Sequence, residues 1–600
     1  VASYGVGTQP ANWNIHSARA APWLFTLRQV LAGVWPSAFT ITTAGVPVLD
    51  TSLLASAAEI DTSPQVVVYK LNPQAVWSDG VPITYRDFVY NWQAQSGRFA
   101  FGDLGGKRFD PVDEAGYWDV ASVAGSPADP FTVTVTFSNP YPDWQSLFSY
   151  LMPAHVALRV GFDSGFTDPV DDLVSGGPFL VAALQSGYSL QLTRNARYWG
   201  TPANLATVSY YFMGSTAEAV DAVVAGELDV ATLLAQSGPY GELRSVGGLS
   251  VQAVASSRYE DLDFNEAVPL FHDPAVREAV MLAIDRGAMA STVLGPYSGA
   301  GLTAVPVENR VFLSGGAGYS DDGAPYDKPD VEAAIGLLTS KGYTVAVGSP
   351  GSMKSGSTAT PPGSTAPSAG LNSSVPRAAP VHSSTSPGTG VASSTAVPAT
   401  PSPVLSSSSP PSSATPNSPA STASPVTTST LYAPNGHAVT VALVVSVGDP
   451  VAQQLAEQVG SDCGAIGIRV DLVELGAGRS RPAGWGMAIE GREVPVFPSA
   501  ISSRYLTHGP ANVDGYSSPA MDRLLSEADQ LIAGAGASGT AARLVFYREV
   551  DAEVWADFVD LPLVAIPVLV ASNSGLLNMR PGPYWSQLAW DAENWGFKAP

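Results

Sequence analysis

Cysteine is almost absent from this sequence. Its one representative, Cys463, has no partner for an internal disulfide, and no histidine lies near it in the chain to build a thiol nucleophile. A small buried residue at a helix-to-strand boundary is expected there, because a free thiol packs as a small hydrophobe. Basic charge is scarce as well: 29 Lys and Arg stand against 52 Asp and Glu, a formal net charge of -23. Nucleic acid and anionic lipid both require clustered Lys and Arg, and no basic run occurs, so neither is expected as a partner. Long apolar runs are missing too. The longest, residues 561–571, is broken by Pro562 and Pro567 and falls short of the ~18 residues of a membrane span. The chain opens at Val1 with no export signal ahead of it, as a mature or trimmed product would.

Histidine is thin and scattered. His16, His155, His272, His382, His437 and His508 make no His-x-x-x-His pair, so no metal site is expected. There is no Gly-x-x-x-x-Gly-Lys-Ser/Thr loop for phosphate and no Gly-x-Ser-x-Gly elbow for a serine nucleophile. The Gly-rich stretch 315–320 follows no apolar strand and reads as a turn. The acid pairs Asp171-Asp172 and Asp321-Asp322 lie beside Pro or Gly and read as solvated turns; calcium would need six or more converging oxygens. No nucleophile–base set emerges, so no catalytic residue, no cofactor and no enzyme activity is expected.

Serine, threonine and proline, by contrast, crowd one place. Residues 348–430 are nearly all Ser, Thr, Pro, Ala and Gly, with almost no aromatic side chains and no periodicity. Such a stretch cannot bury enough apolar surface to offset the entropy of ordering it, so a disordered insertion is expected. Its flanks read as one domain interrupted. Before it, Val331, Ile335 and Leu338 recur at helical spacing, with Gly342 as C-cap. After it comes the apolar run 439–446, then Asp449-Pro450 as N-cap and first helical residue, a helix, and a strand at 468–475. That βαβ order implies parallel strands.

Elsewhere strands and helices alternate, as in an α/β or α+β chain. Residues 131–137 and 188–194 alternate with period two. Asp273-Pro274 and Ser518-Pro519 each open a helix with an apolar stripe, Val276, Val280 and Ile284 in one, Met521, Leu524, Leu525 and Ala528 in the other. Six hundred residues exceed one core, so two or three domains are expected. Aromatics sit beside polar residues in stretches such as 140–150 and 194–200, a composition suited to cleft walls.

One stretch is more specific. Residues 69–93 form a strand, a Ser-Asp-Gly turn and a helix capped by Thr84. Its Leu71, Val76, Trp77, Ser78, Asp79, Gly80, Pro82, Thr84, Asp87, Phe88 and Trp92 resemble the signature of solute-binding protein family 5, the oligopeptide- and dipeptide-binding components of ABC importers. Further blocks resemble that family in order: 176–179, 192–200, 226–231, 262–286 (with Phe264, Asn265, Pro269, Asp273, Arg277, Asp285 and Arg286), 512–528 and 561–563. The resemblance implies an α/β, two-lobed periplasmic-binding-protein-like fold of class C with an extra subdomain. Lobe I would comprise 1–45, 175–265 and 561–600; the subdomain 46–174; lobe II 266–347 and 431–560. Two strands crossing between the lobes would act as a hinge.

The same resemblance implies an extracytoplasmic, monomeric receptor, secreted or lipid-anchored. It would capture a peptide or other small solute between its lobes and deliver it to an ABC permease. In peptide binders of the family an Asp in a Trp-x-x-Asp-like stretch pairs with the ligand's α-amine. Here the corresponding segment, 484–505, keeps Trp485 but lacks that Asp, leaving Glu490 and then Glu493. The candidate ligand-binding residues are therefore Trp485, Glu490, Arg504 and Tyr505. Asn12, Trp13 and Asn14 join them from the N-terminal strand's usual place at the cleft edge. Residues 140–156 and 197–200 and the Ser/Thr/Pro tract also resemble the LpqW-type mycobacterial lipoproteins. That likeness implies the alternative: regulation of envelope mannolipid synthesis through contact with a synthesis enzyme.

Overall fold

A computed structural model describes the chain except residues 1, 44, 100–107, 113–115, 235–238, 255, 348–428, 477–479, 532–536, 583, 585–590 and 599–600. Two sheets organise it. The first has seven strands in the order Leu249–Val254, Val568–Asn573, Val230–Leu234, Ala2–Val6, Thr207–Phe212, Ser189–Arg194 and Phe179–Gln185. Ala2–Val6, at its centre, runs parallel to both neighbours. The second has five strands: Arg469–Leu475, Thr440–Ser446, Met487–Glu493, Arg258–Phe264 and Asp560–Ala565. A four-stranded antiparallel sheet, Leu54–Thr62, Gln65–Leu71, Asp129–Phe137 and Val120–Ser126, falls within the expected subdomain. One apolar core joins this sheet to the first; a separate one lies under the second.

Local sequence explains the elements. Thr84 closes a capping box with Asp87 at the head of helix Tyr85–Gln95. Asp449 accepts the Val451 and Ala452 amides ahead of helix Pro450–Ala465, whose flanking strands Thr440–Ser446 and Arg469–Leu475 pair in parallel as the βαβ pattern implies. Cys463 is fully buried on that helix. The helix begun by Asp273-Pro274 ends at Ala283, so Ile284 of the expected stripe is its C-cap rather than part of it. Asp285 caps Ala288 and starts a new helix, Arg286–Leu294.

The apolar run 561–571 becomes two strands in two different sheets. Pro562 sits on the edge strand Asp560–Ala565, where a missing amide is tolerated. Pro567 separates that strand from Val568–Asn573. Beside it, the chain passes from Leu249–Val254 to Arg258–Phe264. Among the described residues the passages between the sheets thus lie at 256–257 and 566–567, whereas the sequence boundaries stood at 265 and 560. They are tied together: the Ser256 hydroxyl donates to the Ile566 carbonyl at 2.5 Å, and the Ile566 amide donates to the Arg258 carbonyl at 2.8 Å. These two linked passages form the two-strand waist expected of a two-lobed fold.

The expected insertion lies outside the described residues except at its end. Ser429 and Thr430 belong to strand Ser429–Tyr432, which pairs antiparallel with Thr344–Val347, Val347 opposite Ser429. The two flanks of the tract are therefore the two sides of one ladder. No described helix is long and apolar enough to cross a membrane.

Candidate functional site: a cavity between the lobes

A cavity of about 390 Å³ opens where three parts of the chain meet. The first lobe supplies Ile15, His16 and Arg28, the last from helix Leu24–Leu31. The subdomain supplies Tyr117, Tyr141 and Tyr150. The second lobe supplies the segment 493–497 and Ala500, which follow strand Met487–Glu493. Its size and aromatic lining, with Phe39, Phe497 and Tyr584 completing the wall, are those of a small-solute site.

The subdomain wall is held in an unusual backbone. Phe148 and Tyr150 take positive φ, 59° and 49°, a region costly for side chains of this size. Hydrogen bonds hold the loop there: the Phe148 amide donates to the Tyr117 hydroxyl at 2.7 Å and the Tyr150 amide to the Ser37 hydroxyl at 2.9 Å. His16 Nε2 lies 2.9 Å from the Tyr150 carbonyl. Burial pushes the His16 ring down to about 4, with the Tyr150 carbonyl opposing. The ring is thus neutral near pH 7 and donates from Nε2. Charge among the described lining residues comes from Arg28 and Glu493, which face each other from opposite lobes at 3.9 Å.

The residues singled out from sequence lie elsewhere. Arg504, Tyr505, Trp485 and Glu490 belong to a buried ionic network on the second sheet, away from the cavity lining. Arg504 Nη2 meets four carboxylates: Asp263 at 2.7 Å, Asp560 at 2.8 Å, Asp261 at 3.3 Å and Asp514 at 3.5 Å. Tyr505 donates its hydroxyl to Asp560 at 2.7 Å. Glu490 pairs with Arg481 at 2.9 Å, and Arg481 stacks on Trp485 at 4.2 Å from the ring centroid. These side chains pair chiefly with one another, although Arg504 Nε and Nη1 and Asp261 Oδ1 are buried without a hydrogen-bond partner among the described residues, and none is among the residues lining the cavity. Asn12, Trp13 and Asn14 are buried behind the first-lobe wall. Asn12 accepts the Asn14 amide, the Trp13 amide donates to Phe166, and Asn14 accepts the His16 amide at 3.0 Å. Asn14 therefore places the lining residue His16 without lining the cavity itself.

Strand parity accounts for the network. Asp261 and Asp263 alternate with Leu262 and Phe264 on Arg258–Phe264, so the apolar pair enters the core and the acids share the opposite face. Arg492 and Glu490 join that face from the adjoining strand. Burial would raise Asp263, but Arg492, Arg504 and Arg481 outweigh it and hold the carboxyl well below its ordinary range. Asp560 is likewise held down against burial by Arg310 and Arg504. Asp261 goes the other way, raised by burial and by Asp560. Burial also lifts Asp514 to about 7, with Asp263 adding to the shift.

Sequence reading did not single out the lining residue Arg28 and named Glu493 only as the next acid after Glu490. Arg28 stands in a helix without any motif. Glu493 was legible as the next acid after Glu490, and the stretch 140–150 had the aromatic-and-polar composition of a wall. Nothing local showed that strand Met487–Glu493 aims Glu490 into the network while Glu493, at its end, reaches the cavity.

The family model for bacterial extracellular solute-binding proteins, family 5 Middle, matches residues 51–357. The oligopeptide-binding protein OppA of Mycobacterium tuberculosis is 33% identical over 302 residues, 48% of this chain and 47% of that protein. The probable monoacyl phosphatidylinositol tetramannoside-binding protein LpqW of the same organism is 29% identical over 300 residues, 50% of this chain and 44% of that protein. The chain thus spans about half the length of the curated relatives it matches. The solved structure of the periplasmic EDTA-binding protein EppA superposes with a TM-score of 0.77 over 100% of this chain and 96% of that one, at 23% identity, a likeness of fold. With two lobes, a two-strand waist and the family's signature in the subdomain, the chain belongs to the bacterial extracellular solute-binding proteins of family 5.

Proposed function

We propose that this protein is an extracytoplasmic receptor that captures a peptide, or a similarly extended zwitterionic solute, between its lobes and presents it to an ABC permease without covalent chemistry. The observation that carries this reading is the cavity itself: aromatic-walled, placed beside a two-strand waist, and flanked by opposite charges from the two lobes. Glu493 is the acid that meets a ligand amine, taking over from the Asp that the family's stretch lacks, and Arg28 meets a carboxylate. Pairing of a desolvated ligand charge with either one is favourable because it replaces lost hydration. The tyrosines supply apolar area with a polar edge, which suits variable side chains. Attachment to the outer face of the membrane by a lipid belongs to the same reading.

Thermal-shift screening of the purified protein against free-amine peptides and glycolipids tests it, since a ligand of the native state raises the melting temperature by mass action. Stabilisation by peptides, weakened about tenfold in Kd by Glu493→Ala, is the expected result. Stabilisation by mannolipids alone would instead favour the envelope-regulator reading suggested by the LpqW likeness.

A further inference from the structure

Asp143 lies on the subdomain loop that precedes the short turn Trp144–Ser146, and it is buried. Both of its carboxylate oxygens are taken up by the second lobe. Oδ2 accepts the Ser499 amide at 2.9 Å, and Oδ1 accepts the guanidinium of Arg543, from helix Ala537–Ala556. Arg543 leans over the Tyr547 ring one turn along its helix, 5.7 Å from the centroid, which helps orient it. None of these three residues lines the cavity, yet their neighbours do: Tyr141 and Ser146 on one side, Phe497 and Ala500 on the other.

The segment that carries Ser499 runs along the cavity from the waist to the subdomain. At its start the Val494 amide donates to the Ser257 carbonyl, in the passage between the sheets, at 2.8 Å. At its far end it is fixed to Asp143. Rotation about the waist leaves the first attachment in place, because both of its partners sit at the axis. The second must break before the cavity can open. A buried carboxylate shared by an amide and a guanidinium gains its energy only while both sides are in contact; once apart, each must be hydrated again.

We propose that Asp143 is a positioning residue for ligand capture: through Ser499 and Arg543 it latches the second lobe to the subdomain and sets the balance between open and closed protein. The proposal rests on the reading of this chain as a closing receptor. It names a residue outside the cavity as a determinant of affinity, because apparent affinity scales with the population of the competent state.

The test is a distance between lobes, read without any ligand. Ile60→Cys in the subdomain and Leu472→Cys in the second lobe introduce exposed thiols for a donor–acceptor dye pair, while native Cys463 is buried and stays unlabelled. In this background, single-molecule energy transfer on the full chain is expected to show a longer inter-lobe distance for Asp143→Ala and for Arg543→Met. The closed-to-open ratio should fall about tenfold or more. Distance distributions unchanged in both variants would overturn the latch, and would do so whether or not peptides bind. Should Asp143→Ala fail to fold, Arg543→Met, which keeps the carboxylate and its Ser499 contact, decides alone.

Discussion

Arg504 and Arg28 place the same chemical group in opposite circumstances. Arg504 is sunk in the second lobe, with Asp261, Asp263, Asp514 and Asp560 all within 3.5 Å of one nitrogen. Arg28 stands partly exposed on the cavity wall, with Glu493 at 3.9 Å across the gap. A buried network of this kind cannot readily trade partners with a ligand, because drawing Arg504 away leaves four carboxylates without their shared cation and unsolvated. A lone, solvated pair can, because breaking it costs little. On the proposed reading, a ligand's charge is met by the pair that can be released rather than by the denser network.

The sharpest way to break that contrast is Arg504→Met. It removes the cation shared by four acids and should lower unfolding free energy by about 3–5 kcal/mol, read as a reduced urea midpoint. A midpoint within error of the parent would mean that Arg481, Arg492 and Arg310 carry the acids without it.

Next in size is the response to pH. Burial lifts Asp514 to about 7 and Asp551 to about 6, and burial with the neighbouring Asp560 raises Asp261 as well. In the unfolded chain these carboxyls titrate near ~4. The native state therefore holds protons that the unfolded state has released. Their stabilising contribution is full below about pH 4 and is lost as pH rises through 6 and 7. Asp263 and Asp560, held low by arginines, act in the other sense, and theirs disappears only on acidification below about pH 4. Between pH 5.5 and 8 the first group acts together with Glu260, Glu308, Asp529 and Glu593, each lifted chiefly by burial to about 7. Stability measured by urea should fall by about 1–3 kcal/mol over that range. Asp514→Asn, neutral throughout, should make the slope shallower by the share of one carboxyl; an unchanged slope would assign it wholly to the other raised acids.

Arg28→Met sharpens the other half of the comparison. The pair with Glu493 is partly solvated, so its loss should change stability by less than about 1 kcal/mol. A larger drop in the urea midpoint would place Arg28 among the structural charges and weaken its claim on a ligand carboxylate.

Much of this architecture was legible in the chain. The Asp449-Pro450 and Ser518-Pro519 caps, the period-two strands and the Thr84 signature all act through neighbours close in sequence, and they stand where their chemistry puts them. The site was less legible because its parts come from distant segments. Arg28 meets Glu493 and Asp143 meets Arg543 only after both lobes have formed. Resemblance to the family pointed to strand Met487–Glu493, whose last residue, Glu493, is among those lining the cavity. Pleat alternation then separated Glu490, drawn into the network, from Glu493 at the strand's end, and a sequence does not say which face of a strand will look onto a ligand.

The smallest effect is expected from the Ser/Thr/Pro tract. Its flanking strands pair with Val347 opposite Ser429, so the second lobe is already closed at the tract's base. Shortening it changes only the entropy of closing the connection, which grows with the logarithm of length, about 0.6 kcal/mol per doubling. Deleting residues 368–408, about half of the tract, should raise stability by no more than about 0.6 kcal/mol and leave the Arg28–Glu493 cavity untouched. A fall of several degrees in melting temperature would mean that the tract packs on the second lobe. The contrast between a buried ionic interior and a releasable cavity pair would then need a third participant.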